Sequence, residues 1–391
     1  RIDTNGNNTT FNSVISSTNT GGLTKEGSAT LKLSATNLYT GATTINGGII
    51  QSNDVSALGS NSAVTLANTA GVSWDLNNFD STIGSLAGAG TTGGNVTLGS
   101  AVLTLGGDNT STTYAGVISQ TGSIIKLGTG TQTLTGTNTY TGSTTISAGT
   151  LQIGNGATDG SIATSSSIVN NALLMFNITG TQTDSMVISG AGGVTKKGNG
   201  TVTISAANTY TGTTNFNAGT LSLGNASALS GGGNLFFTGG TLQYTASNTV
   251  DYSSRILNST SPISLDTNGQ NVTFASALSS TNTGGLTKRG AGTLTLTGAD
   301  AYTGATTITG GTLKAGVATT AFGNNSAVTL SNTAAALLDI TGFNNTIGSL
   351  AGGGASGGNV LLGSATLTLG GDNTSPTFSG IISGAGSLIK N

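Results

Sequence analysis

Short alternations of apolar and polar residues run along the chain and predict β-strands. In Thr293–Thr297, Leu294 and Leu296 fall on one face and three threonines on the other, which is the period-two signature of a half-buried strand. β-Branched threonine suits the face of a pleated strand that meets water. Two further pairs show the same alternation: Leu151 with Ile153, and Val202 with Ile204.

Glycine and asparagine residues flank these predicted strands, as in Asn208–Gly212 and Asn282–Gly285. Both residues tolerate a positive φ, so the chain can turn there at little cost. No stretch combines the i, i+3, i+4 spacing of an amphipathic helix with capping residues, and glycine and threonine oppose helix formation. The pattern therefore predicts an all-β protein.

The sequence repeats itself on a long scale. Residues 3–25 recur at 266–288, an offset of 263 residues (266 − 3). The match continues after a one-residue insertion: 82–88 corresponds to 346–352, and 103–110 to 367–374. We therefore expect one super-repeat at 3–265 and part of a second at 266–391, with a boundary near 264–266.

A shorter motif of roughly 32 residues lies within the super-repeat. Its clearest copy contains Gly284-Gly-Leu-Thr-Lys288, then Gly292-Thr-Leu-Thr-Leu-Thr-Gly298, then Tyr302-Thr-Gly304 and Gly311-Thr-Leu313. A fifth copy begins at Lys390. A lysine precedes a tyrosine by 14 residues in each of four copies: Lys25 and Tyr39, Lys126 and Tyr140, Lys196 and Tyr210, Lys288 and Tyr302.

This motif resembles the passenger-associated transport repeat, also called the autotransporter-associated β-strand repeat, of bacterial autotransporter passengers. Five anchored copies are far more specific than a single short motif. The resemblance implies a β-helical passenger exported by type V secretion, and hence an extracellular or bacterial outer-surface location.

The spacing between copies favours a solenoid over a closed propeller. Successive lysines are 101, 70 and 92 residues apart (126 − 25, 196 − 126, 288 − 196), whereas a propeller needs a constant blade length. The difference between 92 and 70 suggests coils of 22 residues. We predict a right-handed, single-stranded parallel β-helix of roughly 18 coils, continuous through 1–391, whose unpaired end strands pair with more chain or another subunit.

The composition argues against binding to nucleic acid or anionic lipid and against membrane insertion. The chain has 11 basic and 13 acidic residues among 391, a net charge of −2. No basic stripe is present for nucleic acid or anionic lipid. No run of about 18 apolar residues occurs, so we expect no membrane insertion within this segment.

The sequence contains few residue types that could form a catalytic site. Because the chain lacks cysteine and histidine, it cannot form a Ser-His-Asp or Cys-His arrangement or a usual zinc site. Asp75 and Asp80 are the nearest acidic pair; the second super-repeat has Asp339 for Asp75 but Asn344 or Asn345 near the Asp80 position. We predict no catalytic residues, no enzymatic activity and no cofactor.

Two acidic turns are weak calcium candidates. Asp3 with Asn5, and Asp266 with Asn268, resemble the first half of an EF-hand loop. The twelfth position holds Val14 or Ala277 rather than glutamate. An Asx turn explains both segments better, so we predict no metal site.

The repeated tyrosines and lysines receive structural interpretations. A sugar-binding stripe of tyrosines is disfavoured because the four lie several coils apart. We expect them to cap the interior at a corner, with the hydroxyl reaching water. We interpret Lys25, Lys126, Lys196 and Lys288 as solvated turn residues, and Trp74, replaced by Leu338 in the second super-repeat, as a packing residue.

The leading hypothesis is an extracellular structural or adhesive rod. Such a passenger or matrix segment contributes to surface fibres, cell attachment or biofilm. The expected partners are copies of itself, end-to-end or lateral, and host or neighbouring cell surfaces or glycans. One alternative is a carbohydrate-binding or depolymerising β-helix of the tail-spike type, which predicts grouped acids or aromatics on one face; another is a passive stalk for a functional domain elsewhere.

Overall fold

The computed structural model describes residues 1–391. The chain is an all-β parallel solenoid of about 19 turns, with a single short 3-10 turn at Ser253–Arg255. This confirms the predicted fold class and the estimate of roughly 18 coils, while the right-handed winding stays a prediction. No helix of the structure has the length and apolarity needed to cross a membrane.

The chain divides into two compact units. Unit 1 contains Arg1–Gly200 and Asn208–Gly212, and unit 2 contains Thr201–Ala207 and Thr213–Asn391. The single continuous solenoid through 1–391 and the super-repeat boundary near 264–266 stay predictions.

Unit 1 has three parallel sheets, each formed by one strand from successive coils. The first sheet contains Ile2–Asp3, Leu23–Glu26, Thr43–Ile45, Ala63–Leu66, Ser85–Gly88, Thr112–Tyr114, Thr131–Leu134, Thr150–Ile153, Leu173–Asn177 and Gly193–Lys197. The second contains Thr9–Phe11, Thr30–Leu33, Ile49–Ser52, Ser73–Asp75, Asn95–Thr97 and Ile118–Ser119. The third contains Ser81–Thr82, Val102–Leu105, Ser123–Lys126, Thr144–Ile146, Ser167–Asn170 and Val187–Ser189, and Thr181–Asp184 is a further strand of the unit.

Unit 2 is built in the same way. Its longest sheet contains Thr201–Ile204, Thr220–Leu223, Thr241–Gln243, Ile263–Asp266, Leu286–Arg289, Thr306–Ile308, Ala327–Leu330 and Ser349–Gly352. A second contains Val272–Phe274, Thr293–Leu296, Thr312–Ala315, Leu337–Asp339, Asn359–Gly363 and Ile382–Gly384. The remaining strands are Asn345–Thr346, Thr366–Leu369 and Ser387–Lys390 in one sheet, and the paired Thr214–Phe216 and Leu235–Phe237.

Apolar side chains of neighbouring coils stack inside the solenoid because the strand register aligns them. Leu294 pairs with Leu313, and Thr295 pairs with Lys314 on the outward side. Leu294 and Leu296 are at most 1% exposed, as the alternation predicts. Each such buried side chain contributes roughly 1.5–3 kcal/mol.

The largest side chain of the interior also packs as predicted. Trp74 is fully buried, and its indole Nε1 donates a hydrogen bond to Ser52 Oγ at 3.1 Å. Leu338, its counterpart in the second super-repeat, is fully buried as well. A buried indole needs a partner for its N–H, and Ser52 supplies one.

Turns between strands depend on glycine where coils approach closely. Gly285 precedes the strand Leu286–Arg289 with a φ of +82°, and a Cβ there would lie 2.1 Å from the carbonyl oxygen of Ala305. Only glycine can fill this position without displacing the next coil.

Candidate functional site

Each complete copy of the short motif buries its lysine. Lys25, Lys126, Lys196 and Lys288 are at most 1% exposed, so their interpretation as solvated turn residues is wrong. An ammonium can be buried only when its donors are matched by acceptors.

The acceptors are backbone carbonyls of two successive turns. Lys288 Nζ donates to the carbonyl oxygens of Arg289 at 2.8 Å, Gly290 at 2.8 Å and Gly310 at 3.0 Å. Gly290 has a φ of +66°, which turns the chain so that consecutive carbonyls face the ammonium. Lys25 repeats the arrangement with the carbonyls of Glu26, Gly27 and Gly47 and adds Thr4 Oγ1.

Burial lowers the pKa of Lys196 and of Lys288 to about 8. The negative charges of Asp159 and Asp266 raise the pKa of Lys196 and Lys288 respectively, but by less than burial lowers it. Both amines are therefore mainly protonated at neutral pH. All three N–H groups of Lys288 are engaged within the chain, so this lysine ties coils together and offers nothing to a ligand.

The repeated tyrosines are interior residues with a buried hydroxyl relay. The Tyr302 and Thr306 hydroxyls are 2.6 Å apart, Thr306 and Ser326 hydroxyls are 2.8 Å apart, and Ser326 donates to the Gly304 carbonyl at 2.9 Å. Tyr302 is fully buried. The expectation that the hydroxyl reaches water is therefore wrong, and a surface stripe of these rings is excluded. The same relay contains Tyr39, Thr43 and Ser62 in one copy, and Tyr140, Thr144 and Ser165 in another.

The residue two positions before each tyrosine closes the turn between coils. Asn37 Oδ1 accepts from the Ile15 amide at 2.7 Å, while its Nδ2 donates to the Ala57 carbonyl at 2.6 Å. Asp300 occupies this position in the fourth copy and accepts from the Leu278 amide at 2.6 Å.

The second carboxyl oxygen of Asp300 differs from the amide it replaces. Oδ2 is buried without a hydrogen-bond partner, and burial raises the pKa of Asp300 to about 7. A proton on Oδ2 restores the donor that an asparagine provides. Sequence reasoning missed this residue, although the asparagines Asn37, Asn138 and Asn208 in the other copies could have identified it.

Asp75 and Asp80, the nearest acidic pair in the sequence, both accept hydrogen bonds from within the chain. Asp80 Oδ1 accepts from the Val102 amide at 2.8 Å, and Asn344 Oδ1 accepts from the Thr366 amide at the same distance. Aspartate and asparagine perform one structural task at equivalent positions. Asp75 accepts hydrogen bonds from Gln51 Nε2, the Asn77 amide and Thr97 Oγ1.

The calcium candidates form Asx turns. Asp3 Oδ1 accepts from the Asn5 amide at 2.9 Å, and Asp266 Oδ1 accepts from the Asn268 amide at 2.8 Å. Asn5 and Asn268 have φ values of 43° and 48°, as such a turn requires. Gln243 Nε2 donates to Asp266 Oδ2 at 2.9 Å. No three acidic residues lie close enough together to hold a metal ion.

Several shallow hollows interrupt the outer wall of the two units. In unit 1 a shallow groove of about 790 Å³ has no aromatic ring in its lining. Its lining residues include Asn68, Thr113, Thr135, Asn155 and Asp159 together with the apolar Ala115 and Val117. In unit 2 a smaller hollow of about 300 Å³ is lined by Thr213, Asn215, Asn234, Phe236, Leu257 and Asn258. Sequence reasoning identified neither, because the hollows combine residues from several coils.

Comparison with known proteins connects this architecture to a family. The passenger-associated-transport-repeat model matches residues 23–51, 124–153, 194–223 and 286–315, and each match contains one buried lysine and the tyrosine 14 residues after it. The Adhesin BmaC autotransporter of Brucella suis biovar 1 (strain 1330) is 37% identical over 430 residues, which include 99% of this chain. The chain spans 12% of the length of that protein. No solved structure matches the chain.

The four repeat matches and the autotransporter relative agree with the solenoid fold. Together they support an autotransporter passenger segment built from passenger-associated transport repeats. Within it, the lysine and tyrosine that mark the family motif are interior residues. Sites for partners must therefore be sought on the outer wall.

Proposed function

We propose that this chain is a segment of an adhesive rod at the bacterial cell surface. The observation that carries the proposal is the similarity to an autotransporter adhesin, which extends over 99% of the chain. The segment is then part of the passenger that reaches the outside of the cell. Its role is attachment rather than catalysis, which agrees with acidic side chains that accept backbone hydrogen bonds at turns.

The wall of the solenoid supports this proposal. Outward strand positions carry mainly hydroxyl and amide groups, and charged residues are 6% of the chain. A partner that docks on such a wall displaces few strongly hydrated charges. Because every coil presents a similar wall, individually weak contacts can add through multivalency. The same property favours lateral association between copies, and hence fibres or a biofilm matrix.

Attachment can be tested with beads that carry the purified 391-residue chain. Beads are applied to cultured epithelial cells under flow and compared with beads that carry albumin. We expect several times more chain-coated beads to be retained, and free chain to compete with them. Equal retention of both beads contradicts the adhesive role, and clumping of chain-coated beads without cells measures self-association separately.

A further inference from the structure

Phe236 lies on the outer side of the wall, in contrast to its neighbours. In the strand Leu235–Phe237, Leu235 and Phe237 are fully buried and Phe236 is partly exposed. An outward position of this solenoid normally carries threonine or another polar residue, whose side chain is favourably hydrated. An aromatic ring kept partly in water gains more by contact with a partner.

The neighbouring coils place one polar and one apolar side chain beside this ring. Asn215 is the register partner of Phe236 on the preceding coil. The bridge between Leu235 and Ile256 brings Leu257 beside Phe236 on the following coil. Adjacent strands are about 4.8 Å apart, so both side chains lie next to the ring.

Thr213, Asn234 and Asn258 complete the hollow. All three are exposed, so their polar groups are accessible. Asn258 has a φ of 59°, and its backbone amide donates to Thr281 Oγ1 at 3.2 Å. That bond fixes the backbone from which the Asn258 carboxamide projects.

This combination fits one class of ligand. A pyranose ring has an apolar C–H face that packs on the electron-rich face of an aromatic ring. Its hydroxyls both donate and accept hydrogen bonds, as do asparagine carboxamides and the threonine hydroxyl. No charged side chain lines the hollow, so an acidic or basic ligand would lack a counter-charge.

We propose that the hollow around Phe236 binds a neutral oligosaccharide. A purely apolar peptide side chain would make no hydrogen bond with the exposed carboxamides of Asn234 and Asn258. The larger groove of unit 1 has the polar groups but lacks a ring on which a sugar can stack. The inference rests on the proposed adhesive function and names the chemistry of one attachment site.

The test uses saturation-transfer NMR and calorimetry on the whole chain with four neutral trisaccharides: chitotriose, cellotriose, maltotriose and globotriose. We expect at least one to bind. Phe236→Ala should weaken its binding by about tenfold or more, as loss of an aromatic anchor does. Phe236→Tyr should retain binding, and Asn258→Ala should weaken it severalfold.

Phe79→Ala provides a matched control, because Phe79 is a 37% exposed phenylalanine outside the hollow. This variant should bind the trisaccharide as the unchanged chain does. Equal thermal midpoints of the variants show that the fold is intact. No binding of any trisaccharide, or binding unaffected by Phe236→Ala, overturns the proposal. If coated beads still attach to cells in that case, the glycan site fails while the adhesive role stands.

Discussion

The ammonium of Lys288 donates a hydrogen bond to the carbonyl oxygen of Gly310, 3.0 Å away and 22 residues further along the chain. The same ammonium bonds to the carbonyls of Arg289 and Gly290. One side chain therefore closes its own turn and fastens it to the turn of the next coil. This explains why a lysine marks the family motif although it lies inside a solenoid.

Replacing Lys288 by methionine should destabilise unit 2. Methionine fills a similar volume but leaves buried carbonyl oxygens without donors, which typically costs about 1–3 kcal/mol. The measurement is the urea midpoint followed by circular dichroism at pH 7. Lys197→Met is the matched control, since Lys197 is exposed, and a surface change of this kind stays within about 0.5 kcal/mol. Equal effects of the two substitutions would show that the buried hydrogen bonds contribute nothing.

Asp300 should make stability depend on pH. Its folded pKa, about 7, lies above the unfolded value, so the folded state binds more protons between about pH 4 and 7. Stability linked to this group is present at low pH and lost as the pH rises through 7. Asp300→Asn should remove this component and raise the thermal midpoint at pH 8 more than at pH 5.

Asn37 provides the reciprocal experiment to Asp300. Asn37→Asp should create the same loss of stability between about pH 4 and 7 that Asp300→Asn removes, because the turn is equivalent. The contributions are of order 2–4 kcal/mol, since one pKa unit corresponds to about 1.4 kcal/mol. Identical pH profiles for the unchanged chain and both variants would contradict the raised pKa.

Two buried tyrosines should respond oppositely to loss of the hydroxyl. Tyr302→Phe breaks the relay through Thr306 and should cost about 0.5–1.5 kcal/mol. The hydroxyl of Tyr244 is buried without a partner, so Tyr244→Phe should be neutral or stabilising. Both effects are measured as shifts of the thermal midpoint. A greater loss from Tyr244→Phe than from Tyr302→Phe would refute the assignment of the relay.

Calcium should leave the chain unchanged. The carboxylates of Asp3 and Asp266 already accept backbone amides in Asx turns. We expect the same thermal midpoint in EDTA and in about 5 mM Ca²⁺. This calcium concentration exceeds the dissociation constants of weak extracellular calcium sites. A calcium-dependent rise that Asp3→Asn or Asp266→Asn abolishes would instead establish a metal site.

The position of Phe236 shows where sequence reasoning ends. Leu235, Phe236 and Phe237 are all apolar, so period-two alternation cannot tell which of them faces outward. The register with Asn215 on the neighbouring coil decides it. The aromatic hollow is therefore a property of stacked coils and of no single segment.

The sequence by itself determined the all-β class, the inward positions of Leu294 and Leu296, the repeats and the family. These follow from alternation and recurrence, which are local along the chain. Only the tertiary structure decided that Lys288 is buried and that Asp300 has a raised pKa. A lysine two residues before a glycine suggests a solvated turn when only the local sequence is considered. The structure shows that the next coil supplies the carbonyl of Gly310, and desolvation and hydrogen bonding here depend on neighbours about 20 residues away in sequence.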